Sequence, residues 1–399
     1  VLVYLRKAEF GGSLVAGIVI ALIAMILDRI TSGLAKNSVT YKPREKSFLR
    51  RNKFWFLAIT GVLFFYILSF IFPILNQWPE SYFISPAKFI SNGLDIFILN
   101  FGTQIDYLKQ VAFFFIMLPV KIGLQLSVSP YTWGFELTPF LITAYFIIMM
   151  LFASWCFLKF SKDVAIGIIL FSIFIYFGLT NMPWLPLILI YGLIGFKIGG
   201  LKLSLTIVAS FMFITFTGVL PQALLSIYLC GIAVIISFIL GSSLGIWAAH
   251  NDKVSAFMRP INDTMQTMPS FVILIPFVMF FGIGEFTALL AIIAYAFVPA
   301  MRYTEHGLRN LPETVIEAAR MIGCSQTQLL WKVKIPLAMP VIMLGLNQTI
   351  MFGLAMLVIA ALVGTTGLGQ LIYIGLSKAD FGTGMISGVS IALIAIIFD

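Results

Sequence analysis

The sequence predicts an all-α, polytopic membrane protein, and three observations predict it. Sixty per cent of the 399 residues are hydrophobic, with a mean hydropathy of +1.05. Only 10% are charged, against about 25% in ordinary soluble domains. Apolar runs approaching the roughly 20 residues of a membrane-spanning helix recur at about 14–30, 54–75, 138–158, 164–180, 184–198, 203–219, 222–249, 286–303 and 336–363. Bilayer thickness, not a globular core, is therefore the constraint on each element. Cys156, Cys230 and Cys324 are too widely spaced for a metal knuckle or a disulfide framework. Residues 1–13 lack a basic region leading to a small-residue cleavage site, so no cleavable signal peptide is expected.

The first element is repeated by the last. KAEFGGSLVAGIVIALIAMILD at 7–28 and KADFGTGMISGVSIALIAIIFD at 378–399 agree at 12 of 22 positions without a gap. The matches include Lys7/Lys378, Phe10/Phe381, Gly11/Gly382 and Asp28/Asp399, which shared apolar composition does not produce, so the pair reads as a repeat. Between the first and second runs, TSGLAKNSVTYKPREKSFLRRNK at 31–53 reads as a polar, basic linker lying near anionic headgroups. Residues 82–135 contain VAFFFIMLPVKIGLQL at 111–126, broken by Pro119 and Lys121. It reads as an amphipathic helix in the outer interface; a pair of crossings there would keep the same sidedness.

Sidedness follows from charge. If the loop at 302–335 is cytosolic and the chain alternates at each span, 19 of the 25 Lys and Arg fall inside. Arg6, Lys7, Lys88, Lys109, Lys121 and Lys378 remain outside. That is the positive-inside bias, and it removes the need to read the net charge of +9 as a nucleic-acid surface. The short run at 269–282, from Pro269 to Gly282, is expected to enter the membrane obliquely.

The long cytosolic loop reads MRYTEHGLRNLPETVIEAARMIGCSQTQLLWKVKI from Met301 to Ile335. Pro312 and Glu313 start a helix as Pro and acidic residues do in a first turn. Val315, Ile316, Ala319 and Ile322 fall on one apolar face. Gly323 breaks that helix and Ser325 caps the next, which leads back into the membrane at Pro336. Such an apolar face suits either the inner leaflet or a groove on a soluble partner.

EAARMIG, nine residues, then VKIP resembles the EAA signature of ATP-binding-cassette importer permeases. Glu317, Ala318, Ala319, Gly323 and Pro336 match it, while Val333 and Ile335 stand where the pattern has Ile and Leu. The stretches 241–282 and 335–370, with MQTMPSFV and LNQTIMFGLAMLVIAALVG, resemble more narrowly the permease subunits of glycine betaine/proline betaine importers. The resemblance covers 222–399 well and 82–221 loosely. It implies a type I importer permease fold, a MetI-like helical bundle with extra N-terminal membrane helices, in the bacterial inner membrane. The EAA helix, carrying Glu317, Ala318, Ala319 and Gly323, would dock in a cytosolic ABC ATPase and drive alternating access. An extracytoplasmic substrate-binding protein and a second permease half would complete the assembly, the latter in the same parent polypeptide or as a homodimer.

On this resemblance residues 1–30 are the closing helix of a preceding permease copy, and 31–53 is the linker. Residues 54–221 are N-terminal membrane helices, and 222–399 is the permease core with its coupling loop at 302–335. No cofactor is expected in this chain, ATP and Mg belonging to the partner ATPase. No GxxxxGK motif is present, and no catalytic set, metal cluster or nucleic-acid surface is expected. His250 and His306 read as solvated surface residues.

A solute path should show as polar residues within apolar runs. Gln266, Thr267, Pro269 and Ser270 form one such group, and Asn347 and Gln348 another. Interhelical packing, helped by Gly345 and Gly353, accounts for the second group equally well and for Ser270 better. No charge is clearly at mid-membrane, which suits a zwitterion or N-oxide of the glycine betaine, proline betaine, choline or trimethylamine N-oxide class. The alternatives are an ion-coupled secondary transporter and a non-transporting scaffold or osmotic channel.

Overall fold

A computed structural model describes residues 10–39, 53–72, 86–125, 138–159, 162–181 and 184–398. Among these residues every regular element is a helix. The chain divides into two compact units, Val1–Asp95 and Ile96–Asp399.

The first unit holds α1 (Phe10–Val39), α2 (Lys53–Ile71) and the start of α3 (Pro86–Ala112). Helix α1 begins at Phe10, just as the last helix begins at the repeated Phe381. It continues to Val39, so the first nine residues of the sequence-predicted linker are helical; residues 40–52 lie outside the described residues. Gly11 has no room for a Cβ beside the Ala87 carbonyl and Ser91, and Ser13 is buried. Helix α2 is exposed on nearly every side, as a helix bordered by lipid must be.

In the second unit α3 passes through a π-helical turn, Phe113–Met117, into α4 (Leu118–Gln125). Helices α5 (Pro139–Lys159) and α6 (Lys162–Asn181) pack together, with the Ser172 hydroxyl donating to the Tyr145 oxygen at 3.1 Å. The next stretch, Trp184–Phe216, is helical throughout except at Gly200, whose φ of 73° and ψ of −164° break the path. It is a hairpin. Ser204 Oγ donates to the Gly192 carbonyl at 2.8 Å, and the Tyr191 and Phe211 rings stack at 4.7 Å. A straight helix would hold residues 192 and 204 about 18 Å apart. We therefore label 184–199 as α7 and 201–216 as α8; each rises about 24 Å, with Lys197 and Lys202 flanking the turn. Scored as one helix by length and hydropathy, this stretch would count as a single crossing, but it goes down and returns.

The remaining elements are α9 (Leu220–His250), α10 (Asp252–Thr267), α11 (Ser270–Phe281) and α12 (Glu285–Arg309). They are followed by α13 (Glu313–Met321), a single turn α14 (Gln326–Gln328) and a π-helical stretch Leu329–Lys334. Helix α15 (Ile335–Ala360) leads through a 3-10 turn, Ala361–Val363, to α16 (Leu368–Ser377) and α17 (Phe381–Phe398). Helix α12 is the centre, packed between α9 and α15. Small residues bring the three backbones together. A Cβ on Gly241 of α9 would sit 2.6 Å from Ala300 Cβ, and one on Gly245 would sit 2.7 Å from the Met301 carbonyl oxygen. On the other side Gly345 of α15 fits against Tyr303, and Gly307 of α12 against Val341 and Ala338. This is small-residue packing of membrane helices.

Helices α10 and α11 meet at an angle of 103° across Met268 and Pro269. The oblique entry expected for 269–282 is thus a sharp bend. Asn251 caps α10 by accepting from the Lys253 and Val254 N–H groups. Polar α10 lies outside the apolar path that α11 continues.

Candidate functional site

The loop between the two central spans is built by three backbone devices. Pro312 caps α13 and Glu313 occupies its first turn. At its other end Gly323 takes φ +88°. Gly323 N–H then donates to the Arg320 carbonyl at 2.9 Å, and Cys324 N–H to the Ala319 carbonyl at 3.2 Å. This pair of bonds is a Schellman motif, which needs a left-handed residue and hence glycine. Immediately after, Ser325 and Gln328 exchange bonds in a capping box: the Ser325 hydroxyl accepts from Gln328 N–H, and the Gln328 side chain from Ser325 N–H. Two orphan donors are thereby satisfied, and a reversal of direction is locked within three residues.

The apolar face expected of α13 is divided. Ala319 is buried and Ile316 half-buried, whereas Val315 and Ile322 are exposed. Met321 is 90% exposed and Ile322 83%. Glu317 and Ala318 also face outward. Ile322 departs from its expected face because it caps the helix instead of continuing it. The inner side of α13 rests on the π-helical stretch Leu329–Lys334, whose Leu329 is buried. That stretch runs unbroken into α15, so the knuckle and the central bundle share one rod.

Beneath the knuckle lies a polar network that sequence reasoning missed. Arg309, in the last turn of α12, donates through Nε to Glu305 at 3.0 Å, through one amino group to Asp252 at 2.8 Å and through the other to the Ala248 carbonyl at 2.6 Å. Asp252 is 92% exposed, so that arm is worth little. Glu305 is 12% exposed and also accepts from Ser255 at 2.5 Å, so this arm fixes the geometry. Lys334 Nζ stands 3.4 Å from His250 Nε2, while His250 Nδ1 lies 2.8 Å from the Ile246 carbonyl. The Glu305–Arg309 spacing of four was visible in the sequence; the Asp252 and Ala248 partners are tertiary.

The solute-path candidates separate. Gln266 accepts from Arg302, which also pairs with Asp263. These three, with Arg259, Asn262 and Tyr303, wall a cleft of about 750 Å³. Gln266 therefore closes polar α10 and does not lie inside an apolar helix. Thr267 turns its hydroxyl to the Asp263 carbonyl at 3.0 Å, Pro269 occupies the cap of α11, and Ser270 begins it. Asn347 and Gln348 are half-buried on α15 and do not wall that cleft. Beside them Thr349 is buried and bonded to the Gly345 carbonyl at 2.7 Å, a packing role. Among the described residues no three His, Cys, Asp or Glu converge as metal ligands.

At the opposite end Lys121 Nζ donates to Glu285 Oε1 at 2.6 Å, and Lys109 Nζ to the Phe281 carbonyl at 3.1 Å. The 111–126 stretch, read from sequence as an interfacial helix, is thus tied through Lys121 to the start of α12, and Lys109 just before it to the end of α11. No apolar stretch in 86–125 is long enough to cross a membrane.

These features define a polytopic helical membrane protein whose two central helices are joined by an exposed helix–turn–helix knuckle. Residues 241–399 match the family model described as binding-protein-dependent transport system inner membrane component. The glycine betaine transport system permease protein OpuAB of Bacillus subtilis is 35% identical, over 62% of this chain and 89% of that protein. The chain belongs to this family. The trimethylamine N-oxide transport system permease protein TmoV of Pelagibacter ubique is 32% identical, over 100% of this chain and 49% of that protein. The glycine betaine/proline betaine transport system permease protein ProW of Escherichia coli is 39% identical, over 55% and 62%. The chain thus spans about half the length of the former and about three-fifths of the latter. Two inward-facing crystal forms of the MetNI methionine ABC transporter align at 21% and 19% identity with TM-scores of 0.40 and 0.41. They cover 44% and 46% of this chain and 88% and 92% of theirs.

Proposed function

We propose that this chain is a permease part of an ATP-driven importer for small methylated zwitterions and N-oxides, the glycine betaine, proline betaine, choline and trimethylamine N-oxide class. The substrates in the names of its relatives support the class. The observation that carries the mechanism is the knuckle at 313–325, with Val315, Ala318, Met321 and Ile322 exposed. A helix fixed at both ends, with these four apolar side chains exposed among polar ones, is suited to seat in a groove of a cytosolic ATPase.

Closure of that ATPase would push α13 against Leu329–Lys334 and hence tilt α15. Gly345–Tyr303 and Val341–Gly307 contacts would carry the tilt to α12, giving alternating access as a rigid-body motion. An extracytoplasmic binding protein would deliver the solute, and a second permease half, from the same parent polypeptide or a second copy, would complete the path. Of the candidate path residues, Gln266 would hold the inner cleft through Arg302, a role its bond to Arg302 supports, and Asn347 and Gln348 would line the route between helices.

The test is uptake of glycine betaine into proteoliposomes that hold the whole transporter. Met321→Asp with Ile322→Asp should abolish ATP-driven uptake while leaving the protein's melting temperature unchanged, because neither side chain is packed. Uptake that persists without ATP and collapses with an ionophore would establish the ion-coupled reading instead.

A further inference from the structure

We propose that the outer cavity between α3 and α12 is a docking site for a methylated zwitterion. Resting on the solute class proposed above, this deepens that reading. The cavity measures about 540 Å³ and is walled by Asp106, Lys109, Gln110, Phe113, Phe114, Lys121, Glu285 and Phe286. That volume lies within the roughly 300–1,000 Å³ of small-molecule sites.

Its chemistry is selective. Two carboxylates and two ammonium groups leave the lining neutral overall yet charged locally, complementary to a ligand with separated charges. Asp106, Lys109, Gln110, Phe113 and Phe114 form one stripe of α3, at the i, i+3, i+4, i+7 and i+8 spacing of a helix face. The stripe ends in the π-helical turn Phe113–Met117, a distortion concentrated at functional sites. The Phe113 and Phe114 rings stand 5.8 Å apart at 81°, two sides of an open corner in which a quaternary ammonium would meet ring faces. Asp106 begins that stripe two turns before the corner, with no hydrogen bond or ion pair to its carboxylate among the described residues.

Lys109, on the same stripe, and Lys121 each spend a donor on the protein, to Phe281 and Glu285. An ammonium has three donors, so both retain capacity for a carboxylate or oxide. Glu285 is held in place through Oε1 by Lys121 and by Thr366 at 3.0 Å, while its Oε2 is buried without a partner. The ligand's ammonium thus belongs at the Phe113–Phe114 corner, and its anionic oxygen one turn back at Lys109 and Gln110 and at Lys121. A transported solute and a phospholipid headgroup share this chemistry.

The experiment uses the full chain in phosphatidylglycerol nanodiscs, without ATPase or binding protein. Glycine betaine and trimethylamine N-oxide are titrated by equilibrium dialysis. Saturable binding is expected, weakened about tenfold by Gln110→Ala and by Phe114→Ala, a loss within the range of one hydrogen bond to a charged group or one ion–ring contact. Both side chains are exposed, so neither change removes packing. In a second arm, discs containing phosphatidylcholine should show competition if the headgroup also enters. Lipid enrichment that depends on Gln110 and Phe114, without solute binding, assigns the site to the headgroup. Absence of both, or binding indifferent to both variants, overturns the site. ATP-driven uptake by the assembled transporter is scored separately: unchanged uptake and KM in the variants would remove the site but leave the importer, and solute binding without uptake would do the reverse.

Discussion

Gly323 carries more of the knuckle than any charged residue in it. Its φ of +88° is open to glycine and costs other L-residues about 1–2 kcal/mol. Gly323→Ala is expected to loosen the Schellman turn and lower ATP-driven uptake several-fold, while Glu317→Gln, altering an exposed side chain, should do less. Equal effects of the two would argue that charge, not the turn, does the coupling. A second residue-scale case lies outside the membrane. The Thr383 hydroxyl at 2.7 Å and the Thr383 N–H at 3.2 Å hold the Asp380 carboxyl below its ordinary pKa. A depressed carboxylate stabilises the fold above its unfolded pKa of about 3.9 and loses that effect as pH falls through the lower folded value. The melting-temperature gap between wild type and Asp380→Ala should therefore be open at neutral pH and close in that acidic window. A gap independent of pH would show that the cap is not the cause.

At the scale of elements, the bundle is held by backbone proximity. Gly241 and Gly245 sit four apart in GSSLG, so both face α12, where Phe297, Ala300, Met301 and Thr304 fill the space a side chain would need. Two of the atoms met are backbone carbonyl oxygens, which cannot rotate away. Gly245→Ala is expected to destabilise by about 1–3 kcal/mol, the usual cost of overpacking. Gly231→Ala, with nothing within 4 Å, should be neutral in the same thermal melt; equal loss in both would mean that helix flexibility, not space, is at stake. The break at Gly323 and the cap at Ser325 were legible in the sequence, because these depend on neighbours along the chain. So was packing at Gly345, whereas the Gly241 and Gly245 pair was not read there. What was hidden depends on partners far along it. The Arg309 clasp joins residues up to 61 apart. The π-helical stretches Phe113–Met117 and Leu329–Lys334 have no periodicity of their own to reveal them. Placing Ile322 on the face of Ala319 failed because a helix that ends one residue earlier no longer presents it there.

At the scale of the whole molecule, the path of the chain through the bilayer turns on the segment 184–216. Hydropathy sees one 30-residue, mainly apolar span from Leu187 to Phe216 and admits one long crossing. One crossing there would invert the sidedness of everything on one side of it relative to the other, and the excess of Lys and Arg on the cytosolic side would vanish. The Ser204–Gly192 bond and the Tyr191–Phe211 stack instead require two antiparallel helices with Gly200 between them. Leu185 and Phe216 then share the outer side, and Ile198 reaches the cytosolic side with the knuckle. Single cysteines test this directly, since all three positions are exposed. With Cys156, Cys230 and Cys324 replaced by Ser, a membrane-impermeant maleimide added from outside should modify Leu185→Cys and Phe216→Cys. Ile198→Cys should react only in inverted vesicles, together with Thr314→Cys in α13. A continuous helix predicts that Leu185→Cys and Phe216→Cys react from opposite sides. That result would also place α13 and the α3 cavity on the same side of the membrane, where an ATPase knuckle and an outer solute site cannot both work.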